Sequence, residues 1–358
     1  MTELQQVTFT PDVLARIAPD VSLQRHLAVG VRPNLRNINE YRAIEFGDSK
    51  SLENSSDLVF GSSILKSGTT TIINTLSLLI VENLNTGSLE QQKYATIYPQ
   101  VEILRGRSGA PTEEEMILSQ DLFYSLRHCR VIPALALRID NLGILVKDDG
   151  EHEDKDEDMQ DAEEKKSVGD QILYPDLDES QWQYINLSSL HSKSLSFAVF
   201  LSIKVYLRDI STNSLFDLCF TSCLKALQGL SLPRCYVDDA LSAKISIRSR
   251  KSNARGTMES SRGNVKLDLR QEMQTLLQLN LPPHTVASNF GLIEDNNGRV
   301  IMLSDLEGEA EESTVLSRIS IINNDKSINK ISLVSNGAIT LDSLREAIHI
   351  SKARSKVA

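Results

Sequence analysis

Aromatic residues are scarce in this chain: Phe, Trp and Tyr together make up 5% of its 358 residues. A core of ordinary size must therefore be packed with Leu, Ile and Val. Hydrophobic residues reach 41%, which is usual for a globular protein. Long apolar runs are also missing. The nearest, residues 195–207, is interrupted by Lys204, and its alternation of Phe197, Val199, Leu201, Ile203 and Val205 reads as a buried strand and not as a bilayer span. An early Glu3 with no apolar run behind it shows no secretory signal. Cysteine is sparse for this length, with Cys129, Cys219, Cys223 and Cys235 only. Cys219 and Cys223 stand one helical turn apart, a spacing that could serve a metal, but no nearby His or Cys pair completes four ligands. They are read as buried, reduced thiols of a nuclear or cytosolic protein. His128, His191, His284 and His349 show neither metal spacing nor a nucleophile partner.

Positive charge is short by ten, and the deficit is local. Residues 148–164 hold eleven acidic side chains (Asp148, Asp149, Glu151, Glu153, Asp154, Asp156, Glu157, Asp158, Asp161, Glu163 and Glu164) against one Lys155. That span carries the whole net charge of −10, so the remainder is neutral. An acidic pI therefore says nothing against contact with a polyanion elsewhere on the surface. The span, about 148–166, has almost no apolar residues and cannot bury enough surface to fold alone; it is expected to be a disordered insertion in a loop.

The length suits one large domain or two small ones. Thr10-Pro11 opens a helical arm, with Thr as N-cap and Pro at the first helical position, and Val13, Leu14 and Ile17 share one face. Pro19 and Asp20 are expected to break it, with another turn or two over 22–27. Residues 61–73 read as two strands around a Ser-Gly turn, and 82–93 as a polar loop. Thr112 and Glu115 fit a capping box for a helix over 112–128, with Leu118, Leu122 and Leu126 on one face. Strands are expected over 134–139 and 143–147. The second half repeats the plan: strands over 197–207 and 214–218, a helix over 217–230, and strands over 235–237 and 244–247. A Ser-, Gly- and Arg-rich loop follows over 251–263, then strands over 285–292, 300–303 and 315–322. Thr340 caps a last helix over 341–356. Strands with segregated helices give an α+β class: two strand-rich halves, each followed by helices, with residues 1–30 as an arm and 31–358 as one domain.

Several blocks in this order resemble the RNase PH-like family. They are Arg32-Pro33-Asn34-Leu35-Arg36 with Glu40 and Arg42; the strand pair at 61–73; Arg105-Gly106-Arg107-Ser108-Gly109; Asp217 opening the second-half helix, which closes at Leu232-Pro233; and residues 305–312, from Asp305 to Glu312. The resemblance covers about residues 20–356. It implies the RNase PH-like fold and one of two roles. Some members degrade RNA with phosphate as the attacking group. Others have lost the active site and serve as ring subunits of the RNA exosome: a hexameric ring of three heterodimers, with RNA-binding cap subunits on one face and single-stranded RNA threading toward a separate hydrolytic exoribonuclease.

Phosphorolysis needs a pocket of backbone N–H, hydroxyl and Arg groups for phosphate, acidic groups for a metal or protons, and cations along the RNA. In active relatives a Gly-, Thr- or Ser-rich turn opening the second-half helix supplies the phosphate pocket. Here that place holds Phe216-Asp217-Leu218-Cys219, which offers bulk and negative charge. Asp305 and Glu311 resemble the paired acids of active relatives, yet among Glu307, Glu309 and Glu312 they read better as exposed loop carboxylates. Arg32 and Arg36 are expected to brace the domain or a subunit interface. Arg105 and Arg107 flank a glycine and are the candidate RNA contacts; the alternative is an ion pair with Glu113, Glu114 or Glu115. The basic group Arg248, Arg250, Lys251, Arg255 and Arg262 lacks an interleaved aromatic, and is as readily a solvated loop as an RNA patch.

The reading taken is a non-catalytic exosome ring subunit supporting 3′ to 5′ RNA processing and degradation, rRNA processing included. It has no catalytic residue, cofactor or metal and no membrane association, and is expected in the nucleus, nucleolus and cytoplasm. The alternatives are an active phosphate-dependent exoribonuclease, or a protein-interaction scaffold that never touches RNA.

Overall fold

A computed structural model describes residues 9–54, 56, 58–82, 94–104, 106, 109–146, 171–177, 195–206, 215–237, 243–248, 255–260, 265–282, 284–294, 298–324, 326–337 and 339–357. The acidic insertion at 148–166, and Arg105 and Arg107, lie outside these residues.

In chain order the helices are α1 (Pro11–Ile17), α2 (Pro19–Val29), α3 (Lys50–Asn54), α4 (Glu113–His128), α5 (Leu215–Gln228), α6 (Glu309–Thr314) and α7 (Leu341–Val357). The strands are β1 (Glu45–Gly47), β2 (Gly61–Ser67), β3 (Thr70–Glu82), β4 (Ile97–Leu104), β5 (Arg138–Ile139), β6 (Gly143–Val146), β7 (Gln171–Leu173), β8 (Leu195–Tyr206) and β9 (Ser231–Leu232). They continue with β10 (Arg234–Val237), β11 (Ala243–Arg248), β12 (Arg255–Ser260), β13 (Val265–Asp268), β14 (Thr275–Leu276), β15 (Val286–Glu294), β16 (Val300–Ser304), β17 (Ser317–Asn323) and β18 (Ile328–Ser335).

The first sheet runs β1-β2-β3-β8-β4, with β5 also on β8. Its inner face follows the period of two: Ile72, Leu76 and Leu78 on β3, and Val199, Leu201, Ile203 and Val205 on β8, are buried. Helices α4 and α5 cover that face through Leu122, Leu126, Phe220, Cys223 and Leu227. A second sheet runs β16-β15-β17-β18. It joins the same core through Ala287 and Ile322, and receives α7 through Ala347 on its own cluster with Phe290 and Ile319. Helix α2 packs on this sheet too, setting Leu23 and Leu27 against Ile293, Leu303 and Leu306. A Cβ at Gly291 would come within 2.7 Å of Leu306, so only glycine lets β15 pass so close to the turn after β16.

The fold is α+β, as the sequence implies, and local signals are obeyed. Thr112 accepts from the Glu115 N–H while Glu115 accepts from the Thr112 N–H, closing the capping box of α4. Gly68 turns β2 into β3 with φ +59°. The Ser343 N–H donates to Thr340 Oγ1 at the start of α7. All four cysteines are buried and unbridged.

The first helix does break before Pro19, and Pro19 opens α2, whose eleven residues exceed the turn or two expected, since a proline at the first position gives up no helical hydrogen bond. Four expectations are corrected. Residues 134–137 form a 3-10 turn after Pro133, not a strand; their Ala-Leu alternation mimics strand periodicity. Residues 215–218 belong to α5 and not to a preceding strand. Residues 255–260, expected as loop, pair with β11 in a hairpin that sets Arg248 opposite Arg255. Strand β18 was not expected at all.

Candidate functional site

Three arginines of the N-terminal block meet three acids of the late acidic block. Arg32 is fully buried, its exposure 0%. Its Nε donates to Glu311 Oε1 at 2.8 Å and its Nη2 to Glu311 Oε2, while Nη1 and Nη2 donate to the carbonyls of Ser304 and Asp305. Arg36 donates to Asp305 Oδ2 at 2.9 Å and to Glu307 Oε2 at 2.8 Å. Arg42 grips Asp305 with Nε on Oδ2 and Nη2 on Oδ1, both 2.9 Å, and its own backbone N–H adds a third bond to Oδ2. The Glu307 N–H closes the set on Glu311 Oε2 at 2.9 Å.

This geometry follows from the turn after β16. Asp305 sits in the left-handed region, φ +50°, which Asp tolerates better than most residues. That places its carbonyl and its carboxylate toward the incoming arginines. Burial alone would raise the Asp305 carboxyl, but the hydrogen bonds and charge of Arg42, with Arg36 behind, outweigh it and hold the group below the usual carboxylate range.

The reading of Asp305 and Glu311 as exposed loop carboxylates is therefore wrong: they are 7% and 1% exposed. Acidic neighbours in sequence suggested a solvated run, but α6 turns Glu311 inward. Arg32 and Arg36 do brace the chain, and they do so internally. Three cations face three anions in this cluster.

The opening of α5 lies nearby. Phe216 and Leu215 line a cleft of about 290 Å³ between α4 and the β17–β18 hairpin. Arg318 and Lys330 enter it from the sheet, Glu114 and Asp121 from α4, so its charges balance. Lys330 Nζ lies 6.0 Å from the Phe216 ring centre, and Phe216 stacks on Phe220. Asp217, expected to put negative charge in this cleft, is turned away from it. It is 5% exposed, and its Oδ1 has no hydrogen-bond partner among the described residues. Burial pushes its carboxyl up to about 7; Arg354 pulls it down, Asp305 pushes it up, and the Asn289 backbone donates one hydrogen bond. Arg354 also covers the Tyr41 ring at 4.0 Å. At the opening of α5 the cleft thus receives the bulk of Leu215 and Phe216 but not the charge of Asp217.

Of the loop that carries Arg105 and Arg107, Gly106 is described. It is exposed, with φ +73° and open space where a Cβ would stand. Next to it the Glu115 carboxylate accepts from the N–H groups of Ile103 at 2.7 Å and Thr112 at 2.6 Å. Among the described residues no group of three or more His, Cys, Asp or Glu could hold a metal ion.

No protein-family model matches the chain, and no curated protein sequence does. Solved structures do. A chain of the Archaeoglobus fulgidus exosome with RNA bound to the active site superposes with a TM-score of 0.54 at 13% identity, over 97% of this chain and 98% of that one. A chain of an archaeal exosome core gives a TM-score of 0.53 at 13% identity, over 97% of this chain and 96% of the other. The likeness is one of fold, along almost the whole length, and it is the RNase PH-like fold that the sequence blocks imply.

Proposed function

We propose that the chain is a catalytically silent ring subunit of an RNA exosome core, scaffolding the ring and lining part of the RNA path. The fold shared end to end with chains of archaeal exosome cores supports the ring role. The silent character rests on one observation: where a phosphate would be held at the start of α5, the cleft is walled by Leu215 and Phe216 and balanced in charge. A phenyl ring offers an anion no hydrogen bond.

Its partners on this reading are other RNase PH-like ring subunits, RNA-binding cap subunits, a hydrolytic exoribonuclease and single-stranded RNA. Arg105 and Arg107 are the residues assigned to RNA contact. Residues 11–17, 22–27, 114–120, 216–219, 287–291 and 310–313 further resemble the eukaryotic ring subunit called ribosomal RNA-processing protein 43. On this reading the protein acts in the nucleus, nucleolus and cytoplasm.

The test is a phosphorolysis assay. The chain, alone and in its purified complex, is incubated with RNA, Mg²⁺ and phosphate, and released nucleoside diphosphates are measured. None is expected from this subunit. Phosphate-dependent release that disappears in Asp305→Ala overturns the silent reading, and a purified complex whose mass contains no related subunits overturns the ring reading.

A further inference from the structure

A second cleft, of about 790 Å³, lies between the C-terminal end of α4 and the start of β18. Arg127, His128, Arg130 and Lys330 line it, with Tyr124 and Asn329, and no carboxylate does so among the described residues. Arg127, His128 and Arg130 are exposed. No ion-pair partner for any of the four is found among the described residues. The groups in direct contact with them are neutral, Ser125 Oγ at 2.7 Å from Lys330 Nζ and the Tyr94 ring 5.3 Å from the Arg130 guanidinium, while Lys330 also borders the first cleft with Glu114 and Asp121.

Two further observations point to what fits there. Strand β18 is the last of its sheet, so its outer backbone edge is unpaired among the described residues. It is eight residues long and carries no proline, and Leu333 and Val334 on it are 48% and 67% exposed. Four consecutive residues, Ile328 to Ile331, border the cleft, so it is the edge and not one face that opens into it. Beside them the buried Asn329 Nδ2 has no acceptor among the described residues, while its Oδ1 accepts from Ser327 Oγ at 3.3 Å. The cleft thus holds cations and an unsatisfied donor, and lacks anions among the described residues.

We propose that this cleft docks an extended acidic segment of a partner protein, which adds as a further strand along β18 and sets its carboxylates against Arg127, Arg130 and Lys330. An extended chain repeats its side chains on one face every second residue, about 7 Å apart. Acidic residues at that spacing reach successive cations while the backbone pairs with the edge. RNA would satisfy the cations but offers no ladder to β18 and no cover for Leu333 and Val334. A second copy of this chain would bring Arg127 and Arg130 against their own kind. The proposal does not depend on the ring reading.

The experiment is fluorescence anisotropy with the full-length chain, in the assembly in which it purifies. The probe is a labelled octapeptide of alternating Glu and Val. Saturable binding is expected, weakening with salt, and falling by about tenfold or more in Arg127→Glu/Arg130→Glu. Both positions are exposed, and an unchanged thermal melt checks that the variant is folded. The same peptide N-methylated at alternate backbone nitrogens should lose binding, because it cannot form the ladder. No binding of the parent peptide overturns the proposal, as does equal binding of the N-methylated or an alternating Lys-Val peptide, or indifference to the charge reversal. Displacement by a ten-nucleotide uridine RNA that itself depends on Arg127 and Arg130 would assign the cleft to nucleic acid instead.

Discussion

Arg32 and Glu311, 279 residues apart in the chain, close a bidentate ion pair from which water is excluded. The pair is not isolated, since Arg32 also satisfies two carbonyls at the end of β16 and Glu311 accepts the Glu307 N–H. Such a pair is held by completeness: taking one partner away leaves a buried charge and several orphaned groups.

Arg32→Met is therefore expected to destabilise the protein by about 3–5 kcal/mol. The double replacement Arg32→Met/Glu311→Met should recover a large part of that loss, because it removes the stranded charge as well. Urea denaturation of the three proteins checks this. A double variant no more stable than the single one would show that the carbonyl contacts, and not the charges, dominate.

Asp217 and Asp305 should pull the pH profile in opposite directions. The Asp217 carboxyl is raised to about 7 in the folded chain, against roughly 3.9 unfolded. The folded state then binds the extra proton between those values, so stability falls as pH rises across them, with a slope of up to about 1.4 kcal/mol per pH unit. Asp305 is depressed, so its contribution is present above the unfolded value and is lost as pH falls through the folded one. Asp217→Asn should flatten the decline between about pH 4 and 7 and leave the acid limb intact. Thermal melts from pH 3 to 8 measure both limbs.

Burial raises the Cys129 thiol to about 11 and those of Cys223 and Cys235 to about 12, with Cys219 well above its ordinary value. Attack on a disulfide reagent needs thiolate and access, and these sites supply neither. The native chain is expected to react slowly with Ellman's reagent at pH 8, and to titrate four thiols at once after unfolding. Prompt reaction of Cys219 or Cys223 in the native protein would contradict the packing of α5.

If Arg105 and Arg107 touch RNA, Arg105→Glu/Arg107→Glu should weaken RNA protection by the assembled complex and leave assembly intact. Each lost phosphate contact should lower the salt slope by roughly 0.7. Binding measured at several salt concentrations decides it. An unchanged slope would assign both arginines to a structural pairing with residues 113–115.

The α+β plan was legible because its signals are local. A capping box at Thr112 and Glu115 needs only three residues of separation, and the β2–β3 hairpin only a turn at Gly68. The misreadings arose where local pattern and tertiary context disagree. Leu215, Phe216 and Leu218 are apolar on every side because α5 is buried nearly all round, and such a helix start is hard to tell from a strand. The burial of Asp305 and Glu311 was not legible at all from their neighbours, since their partners lie some 270 residues earlier. One signal was available. The Arg block carries Arg32, Arg36 and Arg42, the late block carries five acids from Asp305 to Glu312, and two segments of opposite charge invite pairing.

The same separation sets a clock on synthesis. A chain emerging from a ribosome at roughly 5–20 residues per second exposes Arg32 roughly 15 s to a minute before Glu311 is made. Through that interval Arg32, Arg36 and Arg42 lack the carboxylates they pair with in the folded chain, and α2 lacks the strands β15 and β16 that cover Leu23 and Leu27. The N-terminal segment therefore waits for the late strands to find its place, although it is the first to appear. A chain stopped before residue 305 carries Arg32, Arg36 and Arg42 without the three carboxylates that close on them in the folded protein, a segment with no docking place of its own.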